Sequence, residues 1–250
     1  HRDLHSFPTR RSSDLFIEYL GQNEELPDAA VRRMQECLTS GWSLDDMQVI
    51  TPVNGHAWGQ LELNERLQAR FNPGPFPNNK GIPFKVGDKV VHTKNIYGMG
   101  EKMQVVLNGM TGKVVWVMSD YEEARETRAR EESGNSDMPI VVKVLFDGET
   151  GITEYTRPDL FHLKLAWALT GHKLQGSECP CAVILVPRSH PNMMTRQWVY
   201  TAETRAKREV HIFSAGSAID RYVGNEERVR RTTFLADLTE ILQVEARDEA

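Results

Sequence analysis

Apolar positions along the chain follow two different periods, and the change between them divides it. Between residues 28 and 39, Val31, Met34, Cys37 and Leu38 share one helical face, with Asp28 as N-cap and Gly41 as stop signal. Met47-Gln-Val-Ile-Thr-Pro52 predicts a short buried strand. Asn54-Gly55 is a turn, and a second helix is expected from about Trp58 to Phe71, closed by Asn72-Pro73-Gly74-Pro75. Strand, turn and helix open an α/β layer. Residues 74–82 are rich in Pro, Gly and Asn and read as a linker.

After that linker the period drops to two. Phe84-Lys-Val-Gly-Asp-Lys-Val-Val-His92, Gly112-Lys-Val-Val-Trp-Val117 and Ile140-Val-Val-Lys-Val-Leu-Phe146 alternate, with Asn108-Gly109 and Asp147-Gly148 as tight-turn signals. About four or five short strands here predict a small β-barrel. Residues 119–137, rich in Glu and Arg, read as a solvated loop or frayed helix. From Leu163 the α/β pattern returns. Ala182-Val-Ile-Leu-Val-Pro187 is an apolar strand, Met193–Thr204 has helical period, and Glu209–Phe213 is another strand. Helices follow near 217–223 and 232–244. The expected architecture is one α/β domain, split in sequence, with a β-barrel between its halves.

Composition narrows the function classes. The chain has 250 residues, 40% of them hydrophobic, and no apolar run long enough to span a membrane. No secretory leader is evident. Cys37, Cys179 and Cys181 are too few and too unevenly spaced for a disulfide framework or a four-ligand zinc site, and read as free thiols of a reducing cytoplasm. His56, His92, His162, His190 and His211 are scattered, so no metal site is expected. The net charge of -5 gives no global basic field, and a nucleic-acid partner would need a local patch. Residues 1–15 lack any period and resemble the conceptual translation of a sequencing adapter, with a disordered basic tail as the alternative. On the first reading the natural chain is cut upstream of Phe16.

Two stretches carry candidate chemistry. In Leu165-Ala-Trp-Ala-Leu-Thr-Gly-His-Lys-Leu-Gln-Gly-Ser-Glu178 a strand runs into Thr170, and Gln175–Glu178 is expected to open a helix at the carboxyl edge of the sheet. His172 and Lys173 suit phosphates, Glu178 suits hydroxyls and Gln175 suits amide hydrogen bonding. In Val199–Arg208, Arg205 closes a helix just before a strand. It is either a finger for a transferring phosphoryl group or a helix-terminal Arg favoured by the dipole.

Thr170–Glu178 resembles motif V of RecD-like superfamily 1 DNA helicases, and Tyr200-Thr-Ala-Glu-Thr-Arg-Ala-Lys207 resembles motif VI. Thr51–Gly59, with Leu63-Asn64, Leu67-Gln68 and Phe71-Asn72-Pro73, is similar to the motif IV region. Val86–Val90, with Asn95, Tyr97 and Leu107–Gly109, is similar to the SH3-like barrel of that family. The resemblance implies an α/β, RecA-like (P-loop NTPase type) second motor domain with an inserted SH3-like β-barrel. Its parts would be 16–75 and 163–250 for the motor domain, the latter with a C-terminal helix, and 83–162 for the insert, after the tail 1–15. It also implies an ATP-dependent helicase of 5′-to-3′ polarity. Arg205 would be the finger on the γ-phosphate, with Gln175, Gly176 and Glu178 near the nucleotide. Thr51, Asn95, Thr170, His172 and Lys173 would lie against single-stranded DNA.

No G-x-x-x-x-G-K-[S/T] occurs in the chain, so the P-loop and the Mg2+ ligands are expected in a missing N-terminal motor domain, and the fragment alone is expected to be inert. Recombination or repair subunits are the implied partners. The pattern departs from the family at Gly171, usually β-branched, at Leu174, usually small, and at Asn54, where an Arg is frequent. The alternative is a non-catalytic module binding single-stranded nucleic acid, with Lys94, Tyr97 and Trp116 as its contacts.

Overall fold

The computed structural model of the protein describes residues 14–77, 79–99, 104–148, 151–171, 173, 178–189 and 194–224. The predicted helix at 232–244 lies outside them. Apolar residues on both faces of five strands build a wholly parallel sheet, as expected for strands covered by helices on each side. These are β1 (Asp14–Leu20), β2 (Met47–Thr51), β10 (Ala168–Thr170), β11 (Cys179–Val186) and β12 (Ala206–Ala215), in the order β1-β12-β11-β2-β10.

Alternation along β11 assigns the layers. Cys181, Val183 and Leu185 pack under α1 (Leu26–Thr39) and α2 (Gln60–Phe71). Ala182, Ile184 and Val186 pack against α4 (Arg196–Glu203) and α5 (Ala218–Gly224) on the other face. The helices lie close to where the apolar periods predict them; α1 begins at Leu26 with Pro27 in its first turn, and Gly41 follows it at φ 94°.

The insert is antiparallel. Its five-stranded sheet has the order β8-β7-β6-β3-β9, from β3 (Lys89–His92), β6 (Thr111–Val117), β7 (Ile140–Phe146), β8 (Ile152–Thr156) and β9 (Leu163–Leu165). A two-stranded ribbon of β4 (Ile96–Met99) and β5 (Gln104–Val106) stands beside it. Val90, Val114, Val142, Val144, Phe146, Tyr155 and Leu163 form a separate core. Because Val90 pairs with Leu165, the antiparallel sheet runs on to Leu165 rather than ending at His162, and β10 follows almost at once.

Residues 119–137, expected to be a solvated loop or frayed helix, form the ordered helix α3 (Asp120–Glu132). Ser119 and Glu122 close a reciprocal capping box at its start, although no residue of the helix is buried.

Polar junctions help seat the insert on the parallel domain. Buried Asp88 accepts hydrogen bonds from Gln68 Nε2 (2.5 Å) and Asn72 Nδ2 (2.8 Å) of the α2 end, and from the backbone of Lys85 (2.7 Å). Lys89 Nζ donates to the carbonyls of Met47 (2.6 Å) and Leu44 (3.3 Å), at the start of β2.

Candidate nucleotide and DNA site

Register decides where the two motif stretches lie. Thr170 pairs with Thr51, so both sit at the carboxyl ends of β10 and β2. β10 and β11 are each parallel to β2 and flank it. β11 therefore starts, at Cys179, at the end of the sheet opposite to where β10 finishes. Glu178 is thus at the amino edge, and a strand follows it at once. The helix expected after Gln175, and the placing of Glu178 at the carboxyl edge, are corrected by this topology. Cys179 pairs with Ala206, which brings Arg205 to the same amino edge.

Glu178 and Arg205 line one cleft of about 360 Å³ between that edge and the insert, together with Asp45, Lys89, Lys113 and Asp147. Arg205 is half-buried. Its Nε donates to Thr201 O of α4 (3.1 Å), and its own carbonyl accepts from Cys179 N (2.9 Å). It therefore does what a helix-terminal Arg does while standing in the cleft. Glu178 pairs with Lys207 at 2.8 Å. Burial pushes the Cys179 thiol up to about 11 and lowers the Lys89 ammonium.

Three cations (Lys89, Lys113, Arg205) and three acids (Asp45, Asp147, Glu178) line the cleft. Arg205, Lys207 and Arg208 are adjacent along the amino end of β12, the last with its guanidinium 4.7 Å from the Trp42 ring centroid. The acids facing them are engaged elsewhere, Asp45 with Lys113 (2.6 Å) and Asp147 with the Thr111 hydroxyl (2.6 Å).

The carboxyl edge holds a different set. Thr51 is fully buried, and its hydroxyl donates to Trp58 O (2.7 Å), so it shapes the loop after β2 rather than facing outward. Thr170 is also buried, and its carbonyl accepts from Lys173 N (2.9 Å). Lys173 Nζ donates to Gln60 Oε1 (3.2 Å), and burial followed by the nearby Lys164 charge lowers its pKa. Exposed Asn95 accepts from Asn108 N (2.7 Å), bracing the turn whose Gly109 lies beside the Lys173 carbonyl. His172, Gln175 and Gly176 lie outside the described residues, as does Leu174.

Sequence reasoning missed His56. It adopts a φ of 71° and stacks on Trp58 with centroids 5.1 Å apart. Its place inside Thr51–Gly59 is the signal the sequence offers, and Gly59, where a Cβ would meet Gly55 O at 1.8 Å, keeps that loop tightly folded. For the alternative module, Tyr97 and Lys94 are exposed, but Trp116 is partly buried against the insert core with Lys143 over its ring.

Residues 165–213 match the family model of the UvrD-like helicase C-terminal domain. The ATP-dependent RecD2 DNA helicase of Deinococcus radiodurans is 35% identical over 203 residues, covering 80% of this chain and 24% of that protein. The RecBCD enzyme subunit RecD of Mycobacterium tuberculosis is 26% identical over 223 residues, covering 84% and 34%. A crystal structure of Pif1 helicase from Bacteroides with ADP-AlF3 and single-stranded DNA is 15% identical, covers 89% of this chain and 54% of that one, and has a TM-score of 0.43. The chain spans about a quarter to a third of the length of the two curated relatives. No described helix is long and apolar enough to cross a membrane. Residues 165–213 thus carry a UvrD-like helicase C-terminal domain, and the chain is similar to the C-terminal part of RecD-like superfamily 1 helicases.

Proposed function

We propose that this chain is the second motor domain of an ATP-dependent 5′-to-3′ DNA helicase, with the antiparallel insert as its SH3-like barrel. The observation that carries the reading is the division of the motif residues between opposite ends of one sheet. Glu178 and Arg205 share the amino-edge cleft, and Lys173 and the His56–Trp58 loop share the carboxyl edge. A translocating motor needs such a rigid link between a nucleotide face and a DNA face.

ATP with Mg2+, when bound, supplies the hydrolysable phosphoryl bond, and a P-loop and magnesium ligands from another motor domain complete the site. Arg205 offers its guanidinium to negative charge on the γ-phosphate, and its seat on Thr201 O aims it. Glu178 holds the nucleotide sugar. Gln175 and Gly176 lie near the phosphates, and His172 near the tracking strand. Thr51 and Thr170 act as positioning residues beneath the DNA face, while Lys173 and Asn95 meet the strand backbone. The assembly works in the cytoplasm with repair or recombination subunits.

Arg205→Ala is tested in the helicase carrying this chain together with its P-loop domain. DNA-stimulated ATPase is expected to fall by about 10³-fold or more. Affinity for single-stranded DNA should change little. ATPase retained within about tenfold removes the finger role. Equal loss of DNA affinity would instead favour the non-catalytic binding module.

A further inference from the structure

Away from both edges, three side chains with metal-ligating atoms converge beneath α1. Cys37 comes from the last turn of that helix, Cys181 from β11 and His211 from β12. Their sulfur and ring-nitrogen atoms all lie within 4.8 Å of one another, and all three residues are buried. The sheet makes this convergence. Cys181 pairs with Glu209, and His211 follows two residues later on the same face, the one that α1 covers.

The neighbours prepare the histidine. Glu209 Oε2 lies 3.0 Å from His211 Nε2, and a carboxylate only accepts, so Nε2 carries the proton and Nδ1 keeps its lone pair. Phe16 stacks on the His211 ring with centroids 4.8 Å apart and holds its plane. A carboxylate holding the far nitrogen is the outer-shell arrangement that fixes a histidine ligand. Arg33, one turn before Cys37, brings a guanidinium nitrogen to 3.4 Å from His211 Nε2 while pairing with Glu36 at 2.8 Å.

We propose that Cys37, Cys181 and His211 bind one thiophilic d10 metal ion, with zinc the chemical class, and that the ion staples α1 to the two central strands. Two thiolates and a neutral imidazole around a divalent ion carry no net charge among themselves. Zinc–sulfur bonds of about 2.3 Å put tetrahedral sulfurs about 3.8 Å apart, so the ligands need to close by only about 1 Å. Binding releases the two thiol protons to solvent, and the fourth position falls to a solvent ligand. The site stands apart from the helicase reading. It would nevertheless stiffen β11 just beyond Cys179, whose backbone N–H holds the Arg205 carbonyl.

The test uses the whole chain, purified reduced and then exposed to zinc or cobalt(II) ions. Expected are about one zinc per chain after desalting, a thiolate-to-cobalt charge-transfer band, and a melting temperature raised by zinc and returned by chelator. Cys37→Ser and Cys181→Ser should each lose at least about tenfold in zinc affinity, and Glu209→Gln about tenfold. Cys179→Ser, outside the cluster, should bind as before. Near-ultraviolet circular dichroism checks the fold of each variant. A folded, reduced wild type without the cobalt band overturns the proposal. So does a Cys37→Ser/Cys181→Ser double variant that binds zinc normally, or a chain whose two thiols form a disulfide and, once reduced, take up no zinc.

Discussion

Gly171 follows β10 directly and lies against the indole of Trp198. A Cβ built on it would lie 2.8 Å from Trp198 Nε1 and 3.2 Å from Cε2. The family resemblance implies a β-branched residue at this position, and a glycine there reads as a loosened strand end. Instead, a large ring from α4 occupies the space the missing side chain leaves, and Trp198 is buried in the core on that face of the sheet. The departure is therefore one half of a packing exchange whose other half lies 27 residues away. Gly171→Val should cost about 1–3 kcal/mol by overpacking. Trp198→Leu alone should cost a similar amount by opening a cavity. The double variant should be less destabilised than the sum of the two, as read from urea midpoints in a double-mutant cycle. Strict additivity would show that the two positions do not share space.

At the scale of the element, α3 separates what holds a helix from what a helix holds. Its first turn is tied down. Arg157 binds Glu123 through Nε (2.6 Å) and Nη2 (2.8 Å), Asn79 Nδ2 reaches Glu123 Oε2 (2.9 Å), and Asp120 accepts from Lys80 N (3.1 Å). These contacts hold the Glu123 carboxyl below the usual carboxylate range. The later turns carry the Arg130–Glu126 pair, and Glu126 and Ala129 edge a shallow groove with Trp116 and Met118. Glu123→Ala should therefore cost about 1–3 kcal/mol, whereas replacing residues 126–134 with a Gly-Ser linker should stay within about 0.5 kcal/mol. Matching losses in chemical denaturation would mean that the distal turns also bear load. The same helix shows why some elements are legible in sequence. β11 and β12 announce themselves because both faces are buried, and the insert because alternation marks a half-buried sheet. In Asp120–Glu132 no apolar period exists, and only Ser119-x-x-Glu122 betrays the helix. The stretch after Glu178 reads as a helix in sequence because the order β11-β2-β10 is not a local property. The meeting of Cys37, Cys181 and His211 is likewise not a local property, since register and a helix crossing bring them together.

Among the described residues three cores form, one on each face of the parallel sheet and one in the insert; Val91 of the insert packs into the second, polar contacts add to that junction, and Lys89 is the one whose chemistry is most exposed to test. It leaves β3 of the insert and donates to two carbonyls at the entrance of β2, on the wall of the cleft that holds Glu178 and Arg205. Removing the ammonium would leave the carbonyls of Leu44 and Met47 facing an apolar group. Lys89→Met should therefore cost about 1–3 kcal/mol at neutral pH and loosen the insert from the sheet. The pH dependence gives a second, independent sign. Burial lowers the Lys89 pKa below its ordinary 10.5, so the unfolded chain binds a proton more tightly than the folded one. Stability contributed by this group must then rise with pH between the folded and unfolded values. A neutral amine still has two hydrogens for two carbonyls, and no buried charge remains to be solvated. Other groups titrate in the same range, and the raised Tyr155 acts in the opposite direction, so the quantity to follow is the gap between wild type and Lys89→Met. That gap should widen from pH 7 to pH 10 in urea unfolding. A gap that narrows would mean that the charge itself, rather than the two hydrogen bonds, joins the insert to the parallel domain.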